Sequence, residues 1–313
     1  MRLLVVIVNY RTAGLVAQCL SSIAAQQVEG LQAVVVDNAS PDFQALRIGI
    51  APHSWASLLP RATNGGFAVG CNAAIRRALS ADEVPDYVLL LNPDTQLEPG
   101  ALQALVDFMD VHPRAGIAGS QLLNARGEAE CSAHRAPSPL GELEGAAGLA
   151  FLSRLLVPHV VSDVPAKTDW VTGASLMVRR AVLEVVGLLD EGYFLYFEEV
   201  DFCARARAAG WEVWLVPASR VVHLEGAATG IREADRRRPH YWFDSRRRYF
   251  VKHFGVRGLL AADALWALGR ASLVLRRMLR LGRGGGAPEP PRFARDLLGG
   301  DLAWMLRRTS ASS

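Results

Sequence analysis

Three short polar clusters follow apolar runs in the first third of this 313-residue chain: Asn9-Tyr10-Arg11 after residues 3–8, Asp37-Asn38-Ala39-Ser40 after 33–36, and Asn92-Pro93-Asp94 after 87–91. A hard divalent cation such as Mg2+ or Mn2+ accepts one or two carboxylates when phosphate oxygens complete its shell, so Asp94 at a strand end suffices as a protein ligand. Singly, Ser40 or Asp94 reads equally well as a helix cap; three such ends together point to one shared edge. Further on, Phe194-Leu195-Tyr196-Phe197-Glu198-Glu199-Val200-Asp201-Phe202 crowds three acids among apolar neighbours. On a helix Glu198 and Asp201 share one side at i, i+3, with Glu199 turned away by about 100°. Carboxylates in such a setting are costly unless paired or used, and a pKa raised by burial suits a general base. Complementing a helix N-terminus explains one of these acids more readily than three. His223 ends the run Ser219-Arg220-Val221-Val222-His223; a lone histidine is structural unless the fold returns it to Asp94.

Other chemistries lose support. Gly65-Gly66-Phe67-Ala68-Val69-Gly70-Cys71-Asn72 has the Gly-x4-Gly spacing of a phosphate loop, but Cys71-Asn72 stands where Lys-Ser/Thr is required. No GxGxxG follows the first apolar run, which removes the main sign of a dinucleotide oxidoreductase. The loop can still aim backbone N–H groups at a diphosphate. Cys19, Cys71, Cys131 and Cys203 are far apart and read as reduced thiols, with neither a zinc site nor a disulfide framework expected.

The elements that must position these residues form an α/β pattern. Short Val/Leu/Ile runs alternate with helical stretches at 15–25, 69–79 and 101–111, as for strands buried on both faces of a mostly parallel sheet. Ligands of such sheets bind beyond the carboxyl ends of the strands, where the polar clusters lie. Residues 126–167 lose periodicity and read as a long irregular insertion. A strand over 169–178, a helix over 180–186, a helix over 198–209 capped by Gly210 and a strand over 213–216 follow.

With half of its residues apolar, the chain can bury one full core and carry a small second module. Residues 220–283 hold 14 Arg and one Lys against five acids, a local balance of +10 in a chain whose net charge is +3. Such clustering suits an anionic surface, lipid or nucleic acid, although no nucleic-acid reading module is recognisable. On a helical wheel Leu260, Ala264, Leu268, Ala271, Leu275, Met278 and Leu279 share a face, with Arg270, Arg276, Arg277 and Arg280 mostly opposite and Trp266 and Leu273 blurring the polar side. This helix either lies in a membrane interface or packs on the catalytic domain. The expected division is a catalytic domain over 1–235, a basic amphipathic helical module over 236–283, and a linker and tail over 284–313. The apolar start turns polar at Asn9 and reads as a strand, not an export signal. No run of roughly 20 uninterrupted apolar residues offers a membrane span, so a cytoplasmic, peripherally membrane-bound protein is expected.

Together these segments resemble the family 2 inverting glycosyltransferases of GT-A fold, and within them the bacterial rhamnosyltransferases. The likeness rests on Val8-Asn9-Tyr10, Val36-Asp37-Asn38-Ala39-Ser40, Asn64-Gly65-Gly66-Phe67-Ala68 with Gly70 and Asn72, Leu91-Asn92-Pro93-Asp94-Thr95, Val171-Thr172-Gly173-Ala174, and Gly187-Leu188-Leu189-Asp190-Glu191 through Glu198-Glu199-Val200-Asp201 to His223. The resemblance implies a nucleotide-sugar donor and a divalent metal, Mg2+ or Mn2+. It places Asp37 on the base or ribose, with Asn9, Asn38 and Gly65 in the same nucleotide site, Asn64 and Asn72 beside the donor phosphates, and Asn92 and Asp94 at the metal-diphosphate end. Asp94 is the implied principal metal ligand and His223 a further metal or diphosphate contact. Glu199 aligns with the base that deprotonates the acceptor hydroxyl, supported by Glu198 and Asp201. Asn92 stands where many relatives have Asp, and Glu199 where Asp is the common base. The expected reaction is sugar transfer, with dTDP-L-rhamnose the leading donor and a saccharide or polyprenyl-linked saccharide the acceptor. A UDP-hexose donor, or a non-catalytic sugar-nucleotide scaffold, is the alternative.

Overall fold

The structure is a computed structural model that describes residues 2–149, 156, 159–224, 236–279 and 289–310. The chain divides into two compact units, one of residues 1–135, 159–194 and 198–230, the other of 136–158, 195–197 and 231–313. The expected boundary at 235/236 and the Gly/Pro-rich stretch as far as residue 288 lie outside the described residues, as does Arg280.

The first unit is built on strands β1 (Leu3–Asn9), β2 (Leu31–Asp37), β3 (Ala56–Pro60), β4 (Tyr87–Leu91), β5 (Thr95–Leu97), β6 (Ala115–Leu123), β7 (Ala133–His134), β8 (Ala166–Thr168), β9 (Trp170–Val171), β10 (Ser175–Arg179) and β11 (Glu212–His223). Nine of them form one sheet in the order β3-β2-β1-β4-β10-β6-β11-β5, with β8 on β11. The half from β3 to β4 is all parallel; β10 enters antiparallel between β4 and β6, and β11 runs parallel to β6. Alternation along β1 explains its burial on both faces. Leu3, Val5 and Ile7 join a core with α1 (Ala13–Ala24), α2 (Phe43–Ile50) and α4 (Ala101–Val111). Leu4, Val6 and Val8 join the opposite core with α3 (Phe67–Leu79) and two later helices, α6 (Arg180–Val186) and α7 (Glu198–Ala208).

Several local expectations change. The strand expected over 169–178 breaks into β9 and β10 around Gly173, and the strand expected over 213–216 continues to His223. The insertion is not wholly irregular, since it contains β7, β8 and the helix α5 (Pro139–Ala147), whose N-cap Ser138 accepts a hydrogen bond from Gly141 N–H.

The second unit contains α5, α8 (His240–Met278), a π-helical turn (Arg295–Gly299) and α9 (Gly300–Ser310); the expected tail is therefore helical over 295–310. Gly255, at φ 69° and ψ 179°, breaks α8 in a conformation open to glycine. Ala146, Phe243, Trp266 and Leu297 form the small core. Trp266 and Leu273, expected on a polar face, are buried together with Leu259 and Ala262, whereas the expected apolar stripe is exposed, with Leu268 at 59% and Met278 at 76%. By length and composition α8 qualifies as a membrane-crossing helix, with a mean hydropathy of 1.4 over its most apolar window, a third of which is buried. The basic cluster is also partly internal. Arg246, 1% exposed, faces Asp263 at 2.9 Å, Glu142 at 3.3 Å and Asp301 at 3.4 Å, and Arg247 pairs with Asp301 and Asp244. Arg237 pairs with Asp296 and Arg270 with Glu289. These partners include Glu142, Glu289, Asp296 and Asp301, which lie outside residues 220–283, so the local excess of +10 overstates the outward charge.

Candidate active site

The polar clusters lie where β1, β2 and β4 end side by side. Register pairs Asn9 with Asp37 and Ile7 with Leu91. Asn9 Nδ2 donates to Asp37 Oδ1 at 2.9 Å, and Ser40 N–H donates to Oδ2 at 3.2 Å. Both oxygens of Asp37 are therefore aimed, and Asn9, with its own Oδ1 taken by Thr12 N–H and hydroxyl, serves to orient it. Asp42, which the sequence reading did not single out, accepts bonds from Asn9, Ser40 and the Ala13 N–H that opens α1. Its signal was its place two residues beyond Ser40, just before α2. Asn38 Nδ2 donates to Gly66 O at 3.0 Å while its buried Oδ1 has no partner.

The glycine loop is held tightly. Asn64 Oδ1 accepts from Gly66 N–H, and Phe67 N–H donates to Phe194 O at 2.8 Å. Gly66 has φ +90°, and a Cβ there would lie 2.1 Å from Phe194 O, so this position needs glycine. Gly65 closes against Val69, 2.7 Å from a built Cβ. Asn72 differs from the expectation of a phosphate neighbour. It is fully buried and bonds Leu189 O, Leu189 N–H and Glu191. A side chain so fully used fixes the 187–191 turn instead of facing a ligand.

The fold does return His223 to Asp94. Antiparallel β5 and β11 pair Thr95 with His223, and Leu224 N–H donates to Asp94 O. His223 Nε2 then lies 3.3 Å from Asp94 Oδ1 and 3.5 Å from Asn92 Nδ2. Asp94 is 3% exposed and its Oδ1 accepts no hydrogen bond. A buried carboxylate oxygen left without a donor beside an imidazole nitrogen fits a divalent-cation site of one carboxylate and one histidine.

Asn92 N–H donates to Ala174 O, and Gly173, next along the chain, packs against the Glu199 side chain, with a built Cβ 3.7 Å from its Cβ. The Asn92–Asp94 strand end and the acid cluster are thus joined through two adjacent residues. Burial pushes the Glu199 carboxyl up from 4.5 to about 7, opposed by backbone N–H groups of Glu199, Val200 and Gly173. Glu198 is pushed well above the usual range by burial and then by the Glu199 charge. Each has an Oε2 without a hydrogen-bond partner. Asp201 is different: fully buried, it pairs with Arg205 at 2.8 Å, and Arg205 also ties Val186 O and Leu188 O. That ion pair engages Asp201 in tying α7 to the 186–188 turn through Arg205. Arg11 and Ala39 take left-handed φ of 62° and 56° beside the ends of β1 and β2. At roughly 1–2 kcal/mol each, such strain gathers at ligand sites.

The mixed sheet, with its polar strand ends, glycine loop and Asp–His pair on one edge, has the GT-A fold. The family described as glycosyl transferase family 2 matches residues 4–183, more than half of the chain, and the protein belongs to it. It is a family 2 glycosyltransferase, a family of inverting enzymes. The chain is 30% identical, over 88% of its length and 91% of the relative, to the N-acetylglucosaminyl-diphospho-decaprenol L-rhamnosyltransferase of Mycobacterium tuberculosis. It is 26% identical to the rhamnosyltransferase WbbL of Escherichia coli K12, over 44% of this chain and 52% of that one. Among solved structures, a mannosyltransferase of Pyrobaculum calidifontis in complex with GDP-Man and Mn2+ superposes with a TM-score of 0.56 at 19% identity, covering 97% of this chain and 80% of the other; this supports the fold.

Proposed function

We propose that this glycosyltransferase moves L-rhamnose from dTDP-L-rhamnose onto a polyprenyl-diphosphate-linked saccharide, inverting the anomeric centre, in cell-surface polysaccharide synthesis. The observation that carries the catalytic part is Glu199, a half-buried residue whose Oε2 is enclosed and unbonded, linked through Gly173 and Ala174 to the Asn92–Asp94 strand end. The rhamnosyl group and the polyprenyl-diphosphate acceptor follow the name of the Mycobacterium relative, which this chain matches over 88% of its length; the dTDP carrier follows the motif resemblance to rhamnosyltransferases.

Asp37, oriented by Asn9 and Ser40, receives the nucleoside, and the Asn64–Gly66 turn lies along the donor. Asp94 and His223 would hold Mg2+ or Mn2+, which when bound would supply positive charge against the diphosphate leaving group. Glu199 takes the acceptor proton as the hydroxyl attacks the anomeric carbon, and Glu198, kept protonated by burial, leaves the one ionised carboxylate to Glu199.

The exposed stripe Leu260, Leu268, Leu275 and Met278, flanked by Arg257 and Arg277, supports binding to an anionic membrane surface on its cytoplasmic face, where a polyprenyl acceptor is presented. The test is a thermal-shift series with dTDP-L-rhamnose and UDP-hexoses, with and without Mn2+, followed by transfer to a polyprenyl-diphospho-N-acetylglucosamine. A stronger shift with dTDP-L-rhamnose and metal is expected; a preference for a UDP-hexose overturns the donor. Liposome flotation that is unchanged by Leu268→Asp/Leu275→Asp overturns the membrane contact.

A further inference from the structure

The sequence reading expected no Cys/His ligand set, yet Cys131-Ser132-Ala133-His134 carries a Cys-x2-His spacing that becomes meaningful only when His159 arrives beside it. His134 ends β7, which pairs with β9, and its ring stacks on Trp170 at 4.3 Å. His159 forms a bridge to His134, and Val160 N–H donates to Ala133 O. The result brings one ligating atom of Cys131, His134 and His159 to within 4.8 Å of one another. The two Nδ1 atoms face each other at 3.0 Å, and Cys131 Sγ is 3.7 Å from His134 Nδ1.

We propose that Cys131, His134 and His159 form a Zn2+ site separate from the Asp94–His223 pair, with its fourth position open to solvent. Zinc bonded at about 2.05 Å to nitrogen and 2.3 Å to sulfur in a tetrahedron sets N···N near 3.3 Å and S···N near 3.6 Å. Two of the three separations, 3.0 Å between the imidazoles and 3.7 Å from Cys131 Sγ to His134, lie within a few tenths of an ångström of these, and the three atoms spread over no more than 4.8 Å, so metal binding draws the set together. The ligand set also matches the metal: a thiolate and two imidazoles select zinc over the oxygen-seeking Mg2+ or Mn2+ expected at Asp94.

The position explains the use of such a clip. The chain leaves the first unit after Arg135 and re-enters it at His159, so zinc would staple the two ends of that excursion at the point of departure. Trp170 and Val171 lead directly into Thr172 and Gly173, which cradles Glu199, and Thr172 N–H donates to Ser132 O. The staple would steady the backbone beside the base without touching substrate.

The test uses the full chain stripped by chelator and titrated with Co2+ as the probe. A near-ultraviolet thiolate-to-cobalt charge-transfer band saturating at one equivalent and displaced by Zn2+ is expected; an oxygen site cannot give it. Cys19, Cys71 and Cys203 are buried and Cys131 is the exposed thiol, so Cys131→Ser should abolish the band. Loss of even an outer-shell partner costs metal sites about 10–100-fold in affinity, so His159→Gln should weaken binding by at least about tenfold. In the unmodified chain Zn2+, but not Mg2+, should slow alkylation of Cys131. Absence of the band, its survival in Cys131→Ser, or alkylation indifferent to Zn2+ would show that the histidines share only a hydrogen bond, and overturns the proposal.

Discussion

Replacing Glu199 by Gln separates the two effects of a buried base. The amide keeps the shape of the side chain against Gly173 but cannot take a proton, so kcat/KM should fall by about 10²–10⁴. In the parent, burial sets the Glu199 carboxyl at about 7. The kcat/KM profile should therefore rise with unit slope and level off above that pH, with roughly a tenth of the plateau left one unit below it. The Gln variant should lose this limb. Stability should move in the opposite direction. The folded value lies above the ordinary 4.5, so the native state holds the proton more tightly. The resulting stabilisation is complete below about pH 4.5 and disappears as pH rises to about 7. At 1.36 kcal/mol per pH unit, that window is worth about 3 kcal/mol. Glu199→Gln should thus unfold in denaturant like the parent at pH 4 and be more stable at pH 8. The assays are pH-resolved initial rates and urea unfolding. A variant that keeps more than about a tenth of parental kcat/KM, or that loses activity with its pH limb intact, refutes Glu199 as the base.

Asp94→Asn keeps the side-chain shape beside His223 Nε2, 3.3 Å away, and should fold normally, while the Mn2+-dependent part of donor-induced thermal shift vanishes; an unchanged metal response moves the ion elsewhere. Gly66→Ala places a Cβ against the Phe194 carbonyl in a left-handed conformation, so a loss of at least about 1–2 kcal/mol is expected by denaturant unfolding, together with weaker donor binding. Arg246→Met strips Asp263 and Asp301 of a buried guanidinium and should cost about 3–5 kcal/mol at pH 8. Burial raises Asp263 to about 7, an effect that Arg246 opposes and Asp301 reinforces. The carboxyl therefore protonates on acidification, and the deficit measured by urea titration should shrink at pH 5.

The sequence alone determined the α/β class, the polar strand ends and the acid run, because each is a local signal. A buried strand reads as a short Val/Leu/Ile run, a chemistry-bearing loop as the polar residues that follow, and the cost of acids such as Glu198 and Glu199 among aromatics is visible in composition. Their division of labour was not legible. Asn72 and Glu199 look alike as polar residues in apolar company, and only the fold separates them, through Leu189 and Glu191 more than 100 positions from Asn72 and an unbonded oxygen on Glu199; the Asp201–Arg205 pair, at i, i+4 on one helix, is by contrast a local signal. The same holds for the basic cluster, since Arg246 is neutralised by Glu142 and Asp301, about 100 and 55 positions away. His223 meets Asp94 through the register of β5 on β11, and His159 meets His134 across 25 positions. Hydrogen bonds, ion pairs and metal sites require contact within a few ångströms. Contact between residues far apart in the chain is decided by the tertiary fold, whereas the pattern that builds each strand and helix is written in neighbouring residues.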